Sequence, residues 1–216
     1  MSEHRSPYAD RASAGAVLAE LLEPLAQGAD PVVLALPRGG VPVAAPIAVA
    51  LSAPLGVVVV RKIGVPGHQE LAMGAVAAVG DQVELVRNES VISSTGVGAG
   101  DFDRAAQHER DELRLRSERF APTRMPVAGR LSILVDDGLA TGSTMMAAVR
   151  ALRRSSPAQV VVAVPLAAAA AVALLGTVAD QVVCPWVPRR FVAVGQGYLD
   201  FTQVSEDEVQ RLLAAG

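Results

Sequence analysis

The residues with the most chemical content are Asp136 and Asp137, followed at once by Gly138-Leu139-Ala140-Thr141-Gly142-Ser143-Thr144. The apolar run Ile133-Leu134-Val135 reads as a buried strand that delivers both carboxylates at its carboxyl end, where α/β sheets place their ligands. Burying a carboxylate is costly unless it is paired or solvated, so two in succession need a reason. Ribose hydroxyls and a nearby hydrated Mg2+ would supply one. Gly138, Ala140 and Gly142 let backbone N–H groups converge, and Thr141, Ser143 and Thr144 add hydroxyl donors. At the start of a helix, that set is a phosphate cradle reinforced by the helix dipole. An ordinary strand-to-helix turn needs one capping side chain and would not explain both acids and all three hydroxyls.

Other segments carry weaker signals. Pro37-Arg38-Gly39-Gly40 follows the strand-like run Val32–Leu36; the glycines would let the backbone approach an anion, and Arg38 could fork onto its oxygens. Arg61-Lys62 closes a second strand-like run, and Lys62 is the only lysine of the chain. A solvated strand end explains that pair equally well. Trp186, Phe191 and Asp200 lie in an aromatic and glycine-containing stretch near the C-terminus. Gly96-Val97-Gly98-Ala99-Gly100 has Asp101 where a dinucleotide fingerprint needs glycine, and His4, His68 and His108 lack metal-ligand spacing.

The apolar run, the Asp-Asp pair and the Ala-Thr-Gly-Ser-Thr loop resemble the signature with which type I phosphoribosyltransferases bind 5-phosphoribosyl-1-pyrophosphate (PRPP). The resemblance implies that Asp136 and Asp137 contact the ribose hydroxyls and hold Mg2+ through water. It also implies that Ala140, Thr141, Gly142, Ser143 and Thr144 hold the 5′-phosphate, and that Arg38, Gly39 and Gly40 meet pyrophosphate. Orotate-type members carry a similar Arg-Lys pair, which implies that Arg61 and Lys62 also meet pyrophosphate across a dimer interface. Lys62 thereby joins Asp136 and Asp137 as a catalytic candidate. The stretch from Phe191 to Phe201 resembles the base-binding end of hypoxanthine-guanine enzymes, implying Trp186 or Phe191 as the stacking ring and Asp200 as the acid. Ala140 replaces the acid of that subgroup, and no lysine lies near the C-terminus to read a 6-oxo group, which argues against a 6-oxopurine. From Val32 to Leu213 the chain resembles a bacterial group of predicted phosphoribosyltransferases whose accepting base is not fixed.

These residues need a scaffold, and short β-branched runs alternating with helical patterns supply one: α/β, with a mostly parallel central sheet flanked by helices. The expected strands are Val32–Leu36, Leu55–Val60, Leu71–Val79, Val83–Val86, Leu131–Val135, Val160–Val164 and Val182–Cys184. A turn is expected at Gly80-Asp81, irregular loops at Ile63–Gln69 and Ser93–Gly100, and one of these as a lid. Helices are expected at Val41–Leu51, from Asp101 or Asp103 to about Phe120, after the phosphate loop, and at Glu206–Ala214. The resemblance implies one phosphoribosyltransferase domain over residues 1–216, with a core near 30–180 and a small hood from 1–30, 181–216 or both.

Composition bounds the rest. The chain of 216 residues is 51% hydrophobic with a mean hydropathy of +0.36, enough for a sizeable core. Its net charge of −3, with basic residues spread along the sequence, argues against a nucleic-acid surface. Val160–Ala179 has no charge, but Pro165 splits it into a strand-like and a helix-like run, so no membrane span is expected. One cysteine and no apolar leader fit a reducing, cytoplasmic setting. Composition thus favours a cytoplasmic protein, and the resemblance implies a homodimeric enzyme of nucleotide salvage, which uses PRPP and Mg2+ to place a phosphoribosyl group on a small nitrogenous base. The alternative is a non-catalytic PRPP-sensing regulator. Only about thirty residues precede the first strand, few for a DNA-binding module.

Overall fold

The computed structural model describes residues 6–79, 82–118 and 125–215. The expected turn at Gly80-Asp81 and the helix end near Phe120 lie outside these. Seven strands form one sheet in the order β4-β3-β2-β1-β5-β6-β7. They are β1 (Pro31–Ala35), β2 (Leu55–Val65), β3 (His68–Val79), β4 (Gln82–Arg87), β5 (Leu131–Val135), β6 (Gln159–Ala163) and β7 (Gln181–Val183). The pairs β2-β1, β1-β5, β5-β6 and β6-β7 are parallel, and β3 and β4 add an antiparallel edge. The short central strands are buried along their length, Val32–Ala35 and Leu131–Val135, and apolar but for Ser132, as expected where helices cover both faces of a parallel sheet.

One face packs against α1 (Arg11–Ala26), α2 (Gly40–Ala50), α4 (Ala99–Glu118) and α7 (Glu206–Ala214), through Leu18, Ile47, Phe102 and Val209. The other packs against α5 (Ser143–Arg154) and α6 (Ala169–Leu175), through Met145, Leu152 and Leu175. On α5 the buried residues Met145, Ala148, Val149 and Leu152 recur at helical spacing. Helix α1 was not foreseen. Asp10 caps it, accepting from the Ser13 N–H at 2.7 Å while Ser13 Oγ answers the Asp10 N–H at 3.0 Å. A Cβ on Gly15 would lie 2.2 Å from the Val43 carbonyl oxygen, so α1 and α2 approach closely because this residue is small.

Two expected loops need correction. Ile63–Gln69 is not an irregular loop: β2 runs to Val65, turns at Pro66-Gly67 and returns as β3. Pro and Gly there make a tight turn with Gly67 at φ +79°, so Arg61 and Lys62 sit within a strand and do not end it. Ser93–Gly100 is not a free connection either, since α3 (Glu89–Thr95) stops at Gly96 in the left-handed region and α4 begins at Ala99. Asp101 therefore lies in the first turn of α4 and does not precede it. The uncharged run after Val160 divides into β6 and α6, and among the described residues no helix is long and apolar enough to cross a membrane.

Candidate active site

Strands β1 and β5 are parallel neighbours, with Ala35 opposite Val135. Their following segments, Pro37–Gly40 and Asp136–Thr144, therefore emerge side by side at the same end of the sheet. The Leu36 N–H donates to the Val135 carbonyl at 2.8 Å and extends the pairing beyond the strands. The Pro37–Arg38 peptide is cis. Added Cβ atoms would fall 2.1 Å from Asp137 Oδ2 at Gly39 and 2.6 Å from the Val135 carbonyl oxygen at Gly40. Both glycines are dictated by this contact between the two segments. Arg38 is half-buried and forms no ion pair among the described residues.

The acids are held from several sides. Asp136 Oδ1 accepts the Asp137 N–H at 2.9 Å. Asp137 Oδ2 accepts Arg11 Nε–H at 2.9 Å, and the Tyr198 hydroxyl donates to the Asp137 carbonyl oxygen at 2.5 Å. Arg11 also donates from Nη1 to the Thr202 carbonyl at 2.8 Å, and its guanidinium lies 4.0 Å from the Phe201 ring centroid. Burial pushes the Asp136 carboxyl well above its ordinary range, with the Asp137 charge adding to the effect. Burial also raises Asp137, against the Arg11 hydrogen bond and charge, which pull it down. Two carboxylates thus share one cation, and their hard oxygens suit a magnesium ion held through its water shell. Among the described residues no cluster of three His, Cys, Asp or Glu side chains forms a direct metal cage. Desolvation raises the Tyr198 hydroxyl as well, keeping it a neutral donor to the loop.

The loop closes on Gly142, whose φ of +72° falls in the left-handed region that favours glycine. Gly142 has no side chain to cap α5, so the amides of the first turn of that helix lack an N-cap side-chain acceptor. Thr141 Oγ1 and Ser143 Oγ are 3.1 Å apart, and the Ser143 N–H reaches Thr141 Oγ1 at only 3.4 Å. Thr141 is exposed, and Ser143 and Thr144 are half-buried. The hydroxyls of Thr141 and Ser143 thereby meet at the N-terminus of α5, an arrangement suited to a phosphoryl group.

The remaining sequence candidates are spread more widely. Arg61 and Lys62 project to opposite faces of β2, as consecutive strand residues must. Arg61 Nε pairs with Glu109 of α4 at 2.7 Å, while Lys62 lines a cavity with Ser143 of α5. Trp186 and Phe191 pack into a small cluster around Tyr8, Ala14, Leu166 and Tyr198. The stacked pair nearest the acids is instead Tyr198 with Phe201, centroids 5.1 Å apart. Asp200 is exposed and accepts from the Thr202 N–H at 2.9 Å and from its hydroxyl at 2.6 Å; these bonds lower its pKa. Sequence reading missed Arg11 and the Tyr198 contact. The Asp10–Ser13 capping box marks the helix start, but nothing local marks the reach of Arg11 across 126 positions to Asp137.

Comparisons with known proteins identify the family. The family model of the phosphoribosyl transferase domain matches residues 11–175, which include Arg11, Pro37–Gly40 and the whole Asp136–Thr144 segment. Relatives from two strains of Mycobacterium tuberculosis, named as phosphoribosyl transferases by assignment, are each 46% identical over 208 residues. The match covers 95% of this chain and 46% of theirs, so the chain spans about half the length of these relatives. The crystal structure of TT1426 from Thermus thermophilus is 44% identical with a TM-score of 0.87, covering 97% of this chain and 99% of that one. With the family model spanning most of the chain and TT1426 matching it end to end, the chain belongs to the phosphoribosyl transferase family.

Proposed function

We propose that the protein transfers the 5-phosphoribosyl group of PRPP to a ring nitrogen of a small nitrogenous base and releases pyrophosphate. The observation that carries this reading is the contact of the two segments: Gly39 lies against Asp137, so a pyrophosphate turn and a ribose-phosphate loop share one opening. The 5′-phosphate sits on the amides and hydroxyls of Ala140 to Thr144, and the ribose hydroxyls meet Asp136 and Asp137. Arg38 and the backbone at Gly39 and Gly40 receive pyrophosphate.

In the reaction the bond from ribose C1 to the pyrophosphate oxygen breaks, pyrophosphate keeps its electron pair, and a C1–N bond forms. Positive charge builds on the sugar, so the protein contributes through position and fixed charge and needs no covalent bond of its own. Arg11 holds Asp137 in place, and Tyr198 holds its backbone. When bound, Mg2+ supplies charge neutralisation for the pyrophosphate. The segments around Tyr8 and Leu199, joined by N–H to carbonyl bonds of 2.8 Å (Tyr8 to Gly197 and Leu199 to Tyr8), serve as the hood over the base. In this reading the enzyme works as a cytoplasmic homodimer in nucleotide salvage.

Calorimetric titration with PRPP in the presence of Mg2+ tests the cradle. Saturable binding to the wild type, weakened by about tenfold or more in Thr144→Val and Asp137→Asn, is the expected result. Binding that ignores both substitutions would remove the assignment.

A further inference from the structure

A cavity of about 230 Å3 lies between α5 and the antiparallel edge formed by β3 and β4. Ser143, Met146, Ala147 and Arg150 line it from one face of α5, the spacing that places helix residues side by side. Its floor is apolar, with Ala72, Ala75 and Val86 opposite Met146. Three cations, Lys62, Arg87 and Arg150, contribute to the wall, and among the described residues that line it there is no carboxylate. The basic residues around it are otherwise matched: Arg87 with Glu89 at 2.7 Å, Arg61 with Glu109 at 2.7 Å and Arg154 with Glu84 at 2.8 Å. Lys62 and Arg150 have no ion-pair or hydrogen-bond partner among the described residues.

Two unmatched cations over an apolar floor repel each other and draw in an anion, and the floor favours one attached to a hydrocarbon or ring. The cavity is separate from the acid pair and the Pro37–Gly40 turn. Asp136, Asp137, Arg38 and Gly39 do not line it, and of the loop residues only Ser143 does. We propose that it is a second ligand site, which takes a small organic phosphate with its phosphoryl group toward Lys62 and Arg150 and its apolar part on Ala72, Ala75 and Met146.

Phenyl phosphate is a suitable probe, titrated calorimetrically into wild type, Arg150→Glu and Met146→Trp. The first variant reverses an exposed charge and the second fills the cavity; melting curves check that both are folded. One phenyl phosphate binding event should weaken by about tenfold or more in each variant, while PRPP binding stays within about twofold. Inorganic phosphate should bind the same site at least about tenfold more weakly than phenyl phosphate. Phenyl phosphate binding unchanged in both variants, or inorganic phosphate binding equally well, would overturn the proposal. If PRPP fails to bind the wild type while the variants still remove the phenyl phosphate event, the proposed function fails and this site stands.

Discussion

A Cβ on Gly39 would meet Asp137 Oδ2 at 2.1 Å, although the φ of Gly39 is an ordinary −61°. Space, and not backbone freedom, therefore requires glycine here. Gly39→Ala should push Asp137 out of place and weaken PRPP binding by about tenfold or more, at 1.4 kcal/mol per tenfold, with a smaller effect on the melting temperature; calorimetry beside thermal melts would show it. Asp137→Asn keeps the shape but removes the charge facing the ribose. It should lower kcat/KM by about a hundredfold or more, close to 3 kcal/mol of transition-state stabilisation, while the variant stays folded. At this scale the sequence was informative about Asp136, Asp137 and the Ala140–Thr144 loop, because all lie in one continuous segment whose chemistry is local. Arg11 was invisible for the opposite reason: its value comes from meeting Asp137 and Thr202, contacts made only by tertiary packing.

Among the elements, α5 depends on Gly142. Its φ of +72° is costly for a residue with a Cβ, and that Cβ would also lie 3.3 Å from Cβ of Ala171. Gly142→Ala should cost about 1–2 kcal/mol in stability, read from urea unfolding, and should weaken phosphate binding as the amides of the loop turn away. The β2-β3 hairpin is tied to α4 by Arg61 and Glu109, both only partly exposed. A double-mutant cycle over this pair should give about 1 kcal/mol of coupling. The central strands and α5 were legible because their apolar spacing is strong. Both strands of the β2-β3 hairpin were expected as well, but their extension to a tight junction was not, because Pro66 and Gly67 mark a loop and a tight turn alike. Helix α3 was hidden in the same way by a run of Ser and Thr before Gly96.

Across the whole molecule, the acid pair sets a pH dependence of stability. Burial raises both carboxyls in the folded state above their unfolded values, so the folded protein holds protons more tightly than the unfolded chain. Stability contributed by these groups is then greatest at acidic pH and declines as pH rises from the ordinary carboxylate range, near 3.8, through the raised folded values. Asp136→Asn removes that penalty. It should melt at a higher temperature than wild type at pH 7, and the gap should narrow as the pH falls toward 4; thermal melts across that range check the sign. Gain of stability with loss of function at one residue is what a site built for binding predicts. The sheet order was readable only in outline, since strand neighbours are set by crossovers that sequence spacing does not specify. The bonds that join Tyr8 to Gly197 and Leu199 were likewise beyond it.

The most direct measurement of the central claim is pyrophosphate release from PRPP and Mg2+ across a panel of free bases, for wild type and Asp137→Asn in parallel. The account predicts release stimulated by a particular base in the wild type and nearly abolished in the variant. Tight PRPP binding with no base-dependent release, or equal release by both proteins, would contradict it.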